Sequence, residues 1–132
     1  MAKVLLVEDD IALREIYSAR FTAENFTVVT ADDGEQALAV SIKEKPDIII
    51  LDIMMPKISG FDVLDILRAT PETKNTKIIV MSALSQESDI QKGKDLGADA
   101  YLVKSQTTLS DVIQKTNDVL NGPPREGKAP QN

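Results

Sequence analysis

Short runs that are apolar at nearly every position alternate along this chain with longer stretches in which apolar residues recur at helical spacing. The runs are Lys3 to Val7 (K-V-L-L-V), Thr27 to Ala31 (T-V-V-T-A), Asp47 to Asp52 (D-I-I-I-L-D), Lys77 to Ser82 (K-I-I-V-M-S) and Ala100 to Val103 (A-Y-L-V). A run without polar alternation suits a strand covered on both faces, as strands of parallel sheets are.

The stretches between them read as amphipathic helices. Leu13, Ile16, Tyr17 and Phe21 form one stripe, with Asp10 placed to cap it. Ala37, Leu38 and Ile42 form a second, with Asp33 as its cap and Gln36 three residues on. Phe61, Leu64 and Leu67 form a third stripe, opened by Ser59, and Leu109, Val112, Ile113, Thr116 and Leu120 form a fifth, opened by Thr108. The fourth stretch, which Ser85 is placed to open, is the weakest. Its stripe is poor, and Gly93 lowers its helix propensity. Gly122-Pro123-Pro124 stops the last helix, and the segment from there to Asn132 has almost no apolar content. One domain over residues 1–121 and a disordered tail over 122–132 are expected.

The pattern is a fivefold β-α alternation. It predicts a parallel sheet with helices on both faces, an α/β fold.

Composition narrows the chemistry. The 132 residues suffice for one domain with a real core, since 42% are hydrophobic. There is no Cys and no His. Thiolate chemistry and imidazole bases are excluded, and any metal site must use oxygen ligands. The net charge of −6 disfavours nonspecific binding to nucleic acid or to anionic membranes. No apolar run is long enough to span a bilayer, and no signal-peptide pattern opens the chain. A cytoplasmic location is expected.

Ligands of open parallel sheets bind at the carboxyl ends of the strands. The first run ends in Glu8-Asp9-Asp10, the third in Asp52, the fourth in Ser82, and the fifth just before Lys104. Asp32 and Asp33 end the second, which an outer position would take away from the centre. Taken singly these residues have ordinary readings. Asp9 or Asp10 suits a helix cap, Asp52 a turn, Ser82 a loop, Lys104 a solvated surface and Tyr101 a core. Placed together, several carboxylates, a lysine and a hydroxyl have a joint use. Crowded carboxylates call for a hard divalent cation, and a carboxylate can itself accept a phosphoryl group.

The segments V-L-L-V-E-D-D, I-I-I-L-D-I-M-M-P-K-I-S-G, I-I-V-M-S-A and G-A-D-A-Y-L-V-K resemble the receiver domain of two-component response regulators. The spacings of Asp9, Asp52, Ser82 and Lys104 follow the same family, and the likeness runs from about Lys3 to Leu120. It implies a flavodoxin-like (βα)5 fold, a doubly wound five-stranded parallel sheet in the order 2-1-3-4-5. Asp52 resembles the phosphoacceptor. Glu8 and Asp9 resemble the acidic pair for Mg²⁺, with Mn²⁺ as an alternative, and the Met54 carbonyl completes the metal shell. Lys104 would contact the phosphoryl group. Ser82 and Tyr101 resemble the switch residues, with Tyr101 turning inward after phosphorylation, and Asp10, Pro56, Gly60 and Ala83 the supporting positions. The implied partners are a sensor histidine kinase or a histidine phosphotransfer protein, and an unidentified downstream protein. Nucleic acid and membrane are not among them. The chain would be a monomer or a weak phosphorylation-dependent dimer. It is expected to act as a phosphoacceptor that catalyses its own phosphorylation and dephosphorylation, rather than as an enzyme on a separate substrate. The residues from Gly122 are too few and too polar to form an effector domain, so output is expected through a partner, or through a longer chain of which this is a fragment. One departure is visible: Ser105 follows Lys104 where many receivers have Pro, and a trans peptide is expected there.

Three other readings fit less well. A flavin-binding relative of the fold needs a Ser/Thr/Gly-rich loop where this chain has three acids. An aspartyl phosphatase needs a second Asp where this chain has Met54. A constitutive interaction module has no use for the full set of acids, Ser and Lys.

Overall fold

A computed structural model of the chain describes residues 1–125. Five parallel strands, β1 (Lys3–Val7), β2 (Thr27–Ala31), β3 (Ile48–Leu51), β4 (Lys77–Ser82) and β5 (Ala100–Val103), form one sheet in the order β2-β1-β3-β4-β5. The helices are α1 (Ile11–Ala23), α2 (Gly34–Glu44), α3 (Gly60–Ala69), α4 (Glu87–Asp95) and α5 (Leu109–Leu120). This is the doubly wound flavodoxin-like arrangement.

Strand geometry divides the core in two, because successive side chains point to opposite faces. Leu5, Ile49 and Ile78 share a register and lie on the α2–α3 side, with Val63, Leu64 and Leu67. Their neighbours Val4, Leu6, Ile48, Ile50, Ile79 and Met81 face α1 and α5, where Tyr17, Phe21, Val112 and Ile113 cover them. β1, β3 and β4 are therefore apolar at almost every position because both faces are covered. β2 and β5 are the edges and are only partly buried.

Four expectations from the sequence need correction or division. The third strand covers Ile48–Leu51, without its flanking acids. Asp47 instead accepts the Lys3 N–H at 2.7 Å, and Asp52 lies past the strand end. Ile16 and Ile42 do not join the core; they are 50% and 43% exposed. The buried lines of α1 and α2 run through Tyr17 and Phe21 and through Ala37 and Ser41, so these isoleucines fall off the covered stripe. Ser85 does not open α4, which begins at Glu87 with Gln86 in the cap position and no capping side-chain bond. Of the tail expected from Gly122, residues 126–132 lie outside the described residues. Residues 122–125 are held: the Gly122 carbonyl accepts from Lys77 Nζ at 3.0 Å, and Arg125 Nη1 meets Asp99 Oδ1 at 2.8 Å.

Among the described residues there is no cis peptide bond, so Lys104–Ser105 is trans, and Lys104–Gln106 forms a 3₁₀ turn. No helix among them is long and apolar enough to cross a membrane.

Candidate acidic site at the carboxyl ends of the strands

Side chains from the carboxyl ends of β1, β3 and β5 meet at one point. Glu8 extends β1, and its N–H donates to the Ala31 carbonyl at 3.1 Å. The Asp52 N–H donates to the Val7 carbonyl at 3.2 Å, which fixes the end of β3 beside the end of β1. Lys104 follows β5 directly. Carboxylate oxygens of Glu8, Asp9 and Asp52, one from each, lie within 4.8 Å of one another. Lys104 Nζ sits 2.8 Å from Glu8 Oε1 and 3.2 Å from Asp52 Oδ2.

The second oxygens of Asp52 and Glu8 are also engaged. Asp52 Oδ1 accepts the Met54 N–H at 3.1 Å, and Glu8 Oε2 accepts the Asp10 N–H at 3.1 Å. Asp10 itself points away and caps α1, accepting the Leu13 N–H at 3.0 Å. Glu8 and Asp52 are 1% and 4% exposed, whereas Asp9 is open to solvent.

Burial sets the electrostatics. It pushes the Asp52 carboxyl up from 3.8 to about 6; Lys104 opposes the shift and the Glu8 carboxylate adds to it. Burial also disfavours the Lys104 ammonium, but its contacts with Glu8 and Asp52 outweigh this and raise its pKa. One ammonium thus stands against three carboxylates. That donor set of crowded oxygens, with an excess of negative charge, fits a hard divalent cation such as Mg²⁺.

The β3–α3 loop turns back against the end of β3. Gly60 donates its N–H to the Ile53 carbonyl at 2.9 Å. A Cβ on Gly60 would run into the Asp52 carbonyl and stand 2.5 Å from Ile53 Cα, so only glycine lets the loop pass this close. Pro56 is exposed, and its carbonyl accepts the Ile58 N–H at 2.9 Å. Lys57 between them takes a positive φ of 71° and pairs with Asp33 at 3.2 Å.

Ser82, at the end of β4, is wholly buried. Its Oγ accepts the Leu84 N–H at 3.0 Å, and Ala83 between them is exposed. The Leu84 carbonyl accepts from the Tyr101 hydroxyl at 2.9 Å. Tyr101 is half-buried and already engages this loop, an arrangement the sequence reading expects only after phosphorylation.

Two arginines belong to the framework and escape the sequence reading. Arg14 Nη1 donates to the Glu8 carbonyl at 2.8 Å and ties the first turn of α1 to the end of β1. The signal for it is its place four residues after the capping Asp10, on the first turn of α1. Arg68 reaches from α3 to the Gly97 carbonyl at 3.0 Å and to Asp99 at 3.2 Å. Nothing local in the sequence marks that contact.

The fold and the site together define a two-component signalling domain. The chain belongs to the response regulator receiver domain family, which it matches over residues 4–116. It is 39% identical over 121 residues to a probable transcriptional regulator, ycf27, of Guillardia theta, a match covering 87% of this chain and 46% of the relative. The chain thus spans about half the length of such curated relatives. Among solved structures it is similar to the chemotaxis protein CheY4 of Vibrio cholerae, with a TM-score of 0.84 and 34% identity over 90% of this chain and 98% of that one. It is also similar to the response regulator TrrA of Thermotoga maritima, solved with Mg²⁺ and beryllofluoride, with a TM-score of 0.79 and 33% identity over 90% and 99% of the two chains.

Proposed function

We propose that this chain accepts a phosphoryl group on Asp52 from a phosphohistidine donor in a Mg²⁺-dependent reaction. The donor is a sensor histidine kinase or a histidine phosphotransfer protein. The observation that carries the reading is the buried Asp52 carboxylate, set between the Lys104 ammonium and the Glu8–Asp9 pair.

Glu8, Asp9 and Asp52, with the Met54 backbone carbonyl, would hold the cation. Bound there, Mg²⁺ offsets negative charge on the phosphoryl oxygens. The Asp52 carboxylate supplies the attacking oxygen; the new O–P bond forms as the P–N bond of the donor breaks and the imidazole leaves. Lys104, already 3.2 Å from Asp52, would pair its ammonium with the oxygens of the incoming phosphoryl group. The same residues serve when water later attacks the aspartyl phosphate, so the chain catalyses its own phosphorylation and dephosphorylation.

The new charge gives the Ser82 hydroxyl an acceptor. Ser82 carries Leu84 with it through the bond from the Leu84 N–H, and the Leu84 carbonyl holds the Tyr101 hydroxyl. Phosphorylation is thereby passed to the face formed by α4, β5 and α5. A partner protein, or a second copy in a weak dimer, reads that face. Direct contact with nucleic acid or membrane has no part in this scheme, which belongs in the cytoplasm.

Intact mass after incubation with acetyl phosphate and Mg²⁺ tests the reading. The wild-type chain should gain one phosphoryl adduct only when Mg²⁺ is present, and Asp52→Asn should gain none. An adduct of equal yield on Asp52→Asn would overturn the assignment. A folded, Mg²⁺-binding wild type that stays unlabelled by both acetyl phosphate and phosphohistidine donors would favour a constitutive interaction module.

A further inference from the structure

We propose that Gly93, in the middle of α4, is a positioning residue for Tyr101. Its missing side chain leaves the slot that holds the tyrosine ring turned toward the site. The inference deepens the proposed switch and rests on that reading for its link to Asp52.

Glycine is a poor choice inside a helix, where alanine would raise the folding constant about twofold to fivefold. α4 can least accommodate that loss. It is nine residues long, has no capping side-chain bond, and Gly93 is its one buried residue. The helix therefore packs on the domain around this glycine, with Lys92 Nζ 4.6 Å from the centre of the Phe61 ring and Ile90 half-buried beside it.

The contact explains the choice. A Cβ on Gly93 would stand 2.8 Å from Cδ2 and 3.2 Å from Cε2 of Tyr101. The next nearest atom, Phe61 Cε1, is at 3.9 Å, an ordinary contact. The obstacle is thus a single side chain and not backbone. At its other end the ring is tied to the β4–α4 loop by the bond from its hydroxyl to the Leu84 carbonyl, at 2.9 Å. Leu84 in turn donates to Ser82 Oγ at 3.0 Å. Gly93 and Ser82 thus lie at opposite ends of one short series of contacts. A methyl group at Gly93 displaces the ring, breaks its bond to Leu84 and uncouples α4 from the loop that carries Ser82.

The test is a double-mutant cycle on the 132-residue chain with Gly93→Ala, Tyr101→Ala and the pair, read in two ways. Urea unfolding reads the slot. With Tyr101 present, Gly93→Ala should leave the folding constant unchanged or lower it. In the Tyr101→Ala background it should raise it about twofold to fivefold. An equal rise in both backgrounds overturns the slot. If Gly93→Ala fails to fold, recovery of folding in the double variant supports the slot, and failure of both overturns it.

Affinity for Mg²⁺–beryllofluoride, a phosphoryl mimic, reads the coupling, which a purely structural role would not move. Gly93→Ala should weaken it about twofold to tenfold, the range for one lost hydrogen bond, and should have no effect once Tyr101 is alanine. Unchanged affinity in Gly93→Ala, alongside a reversed sign in urea, would reduce Gly93 to packing and overturn the coupling. A wild type that does not bind the mimic would overturn the phosphoacceptor reading and the coupling with it, while the urea cycle would still decide the slot.

Discussion

Asp52→Asn should stabilise the metal-free protein at neutral pH. Burial lifts the Asp52 carboxyl from 3.8 to about 6, so its charged form is disfavoured in the folded state. A shift of about two pH units corresponds to about 3 kcal/mol. The sign follows from linkage. Between those two values the folded protein binds more protons at this site than the unfolded chain, so stability falls as pH rises through the interval. The whole cost is present above about pH 7. The shift to about 6 already includes the opposing contact from Lys104 Nζ at 3.2 Å, and asparagine removes the charge while Lys104 keeps Glu8 at 2.8 Å. The net gain should be about 1–3 kcal/mol at pH 7.5, shrinking toward zero near pH 4. Urea unfolding of both proteins in EDTA across that range measures it. Saturating Mg²⁺ should then narrow the gap, because the wild type has the fuller set of ligands and gains more from binding. A less stable Asp52→Asn at pH 7.5 without metal, or a difference independent of pH, would refute the placement of this charge.

Asp9→Ala should weaken Mg²⁺ binding at least tenfold, on the order of 1.4 kcal/mol per tenfold, with little change in stability, because Asp9 is exposed. A Mg²⁺ titration identical to wild type would move the cation elsewhere. Gly60→Ala should destabilise by about 3 kcal/mol or more, since the new methyl meets the backbone of Asp52 and Ile53, which cannot step aside; an unchanged urea midpoint would contradict that close approach. Thr108→Ala should cost about 1 kcal/mol, because Thr108 and Asp111 form a reciprocal capping box at the start of α5. Thermal unfolding of this variant at wild-type temperature would show that the cap contributes nothing.

What the sequence by itself determined is local. The apolar runs at β1, β3 and β4 were legible because these strands are covered on both faces, which leaves no polar position to blur the pattern. The caps at Asp10, Asp33, Ser59 and Thr108 were legible because a cap bond spans only two or three residues. The start of α4 was not, since a helix with one buried residue carries almost no periodic signal. Ile16 and Ile42 misled for a related reason: periodicity marks an apolar stripe but not how much of it a neighbour covers.

The candidate site was legible as residue types at strand ends, and its family resemblance came from several motifs taken together. Only the tertiary structure decided its electrostatics. Lys104 meets Glu8 across 96 positions of chain and Asp52 across 52, and no local rule reports such a distance. The raised pKa of Asp52 comes from burial, which depends on what packs around it in the fold. The glycine that reads in sequence as a weakness of α4 is, in the fold, the place where the Tyr101 ring sits. A propensity describes a residue against its own helix, whereas Gly93 answers to a side chain on another strand.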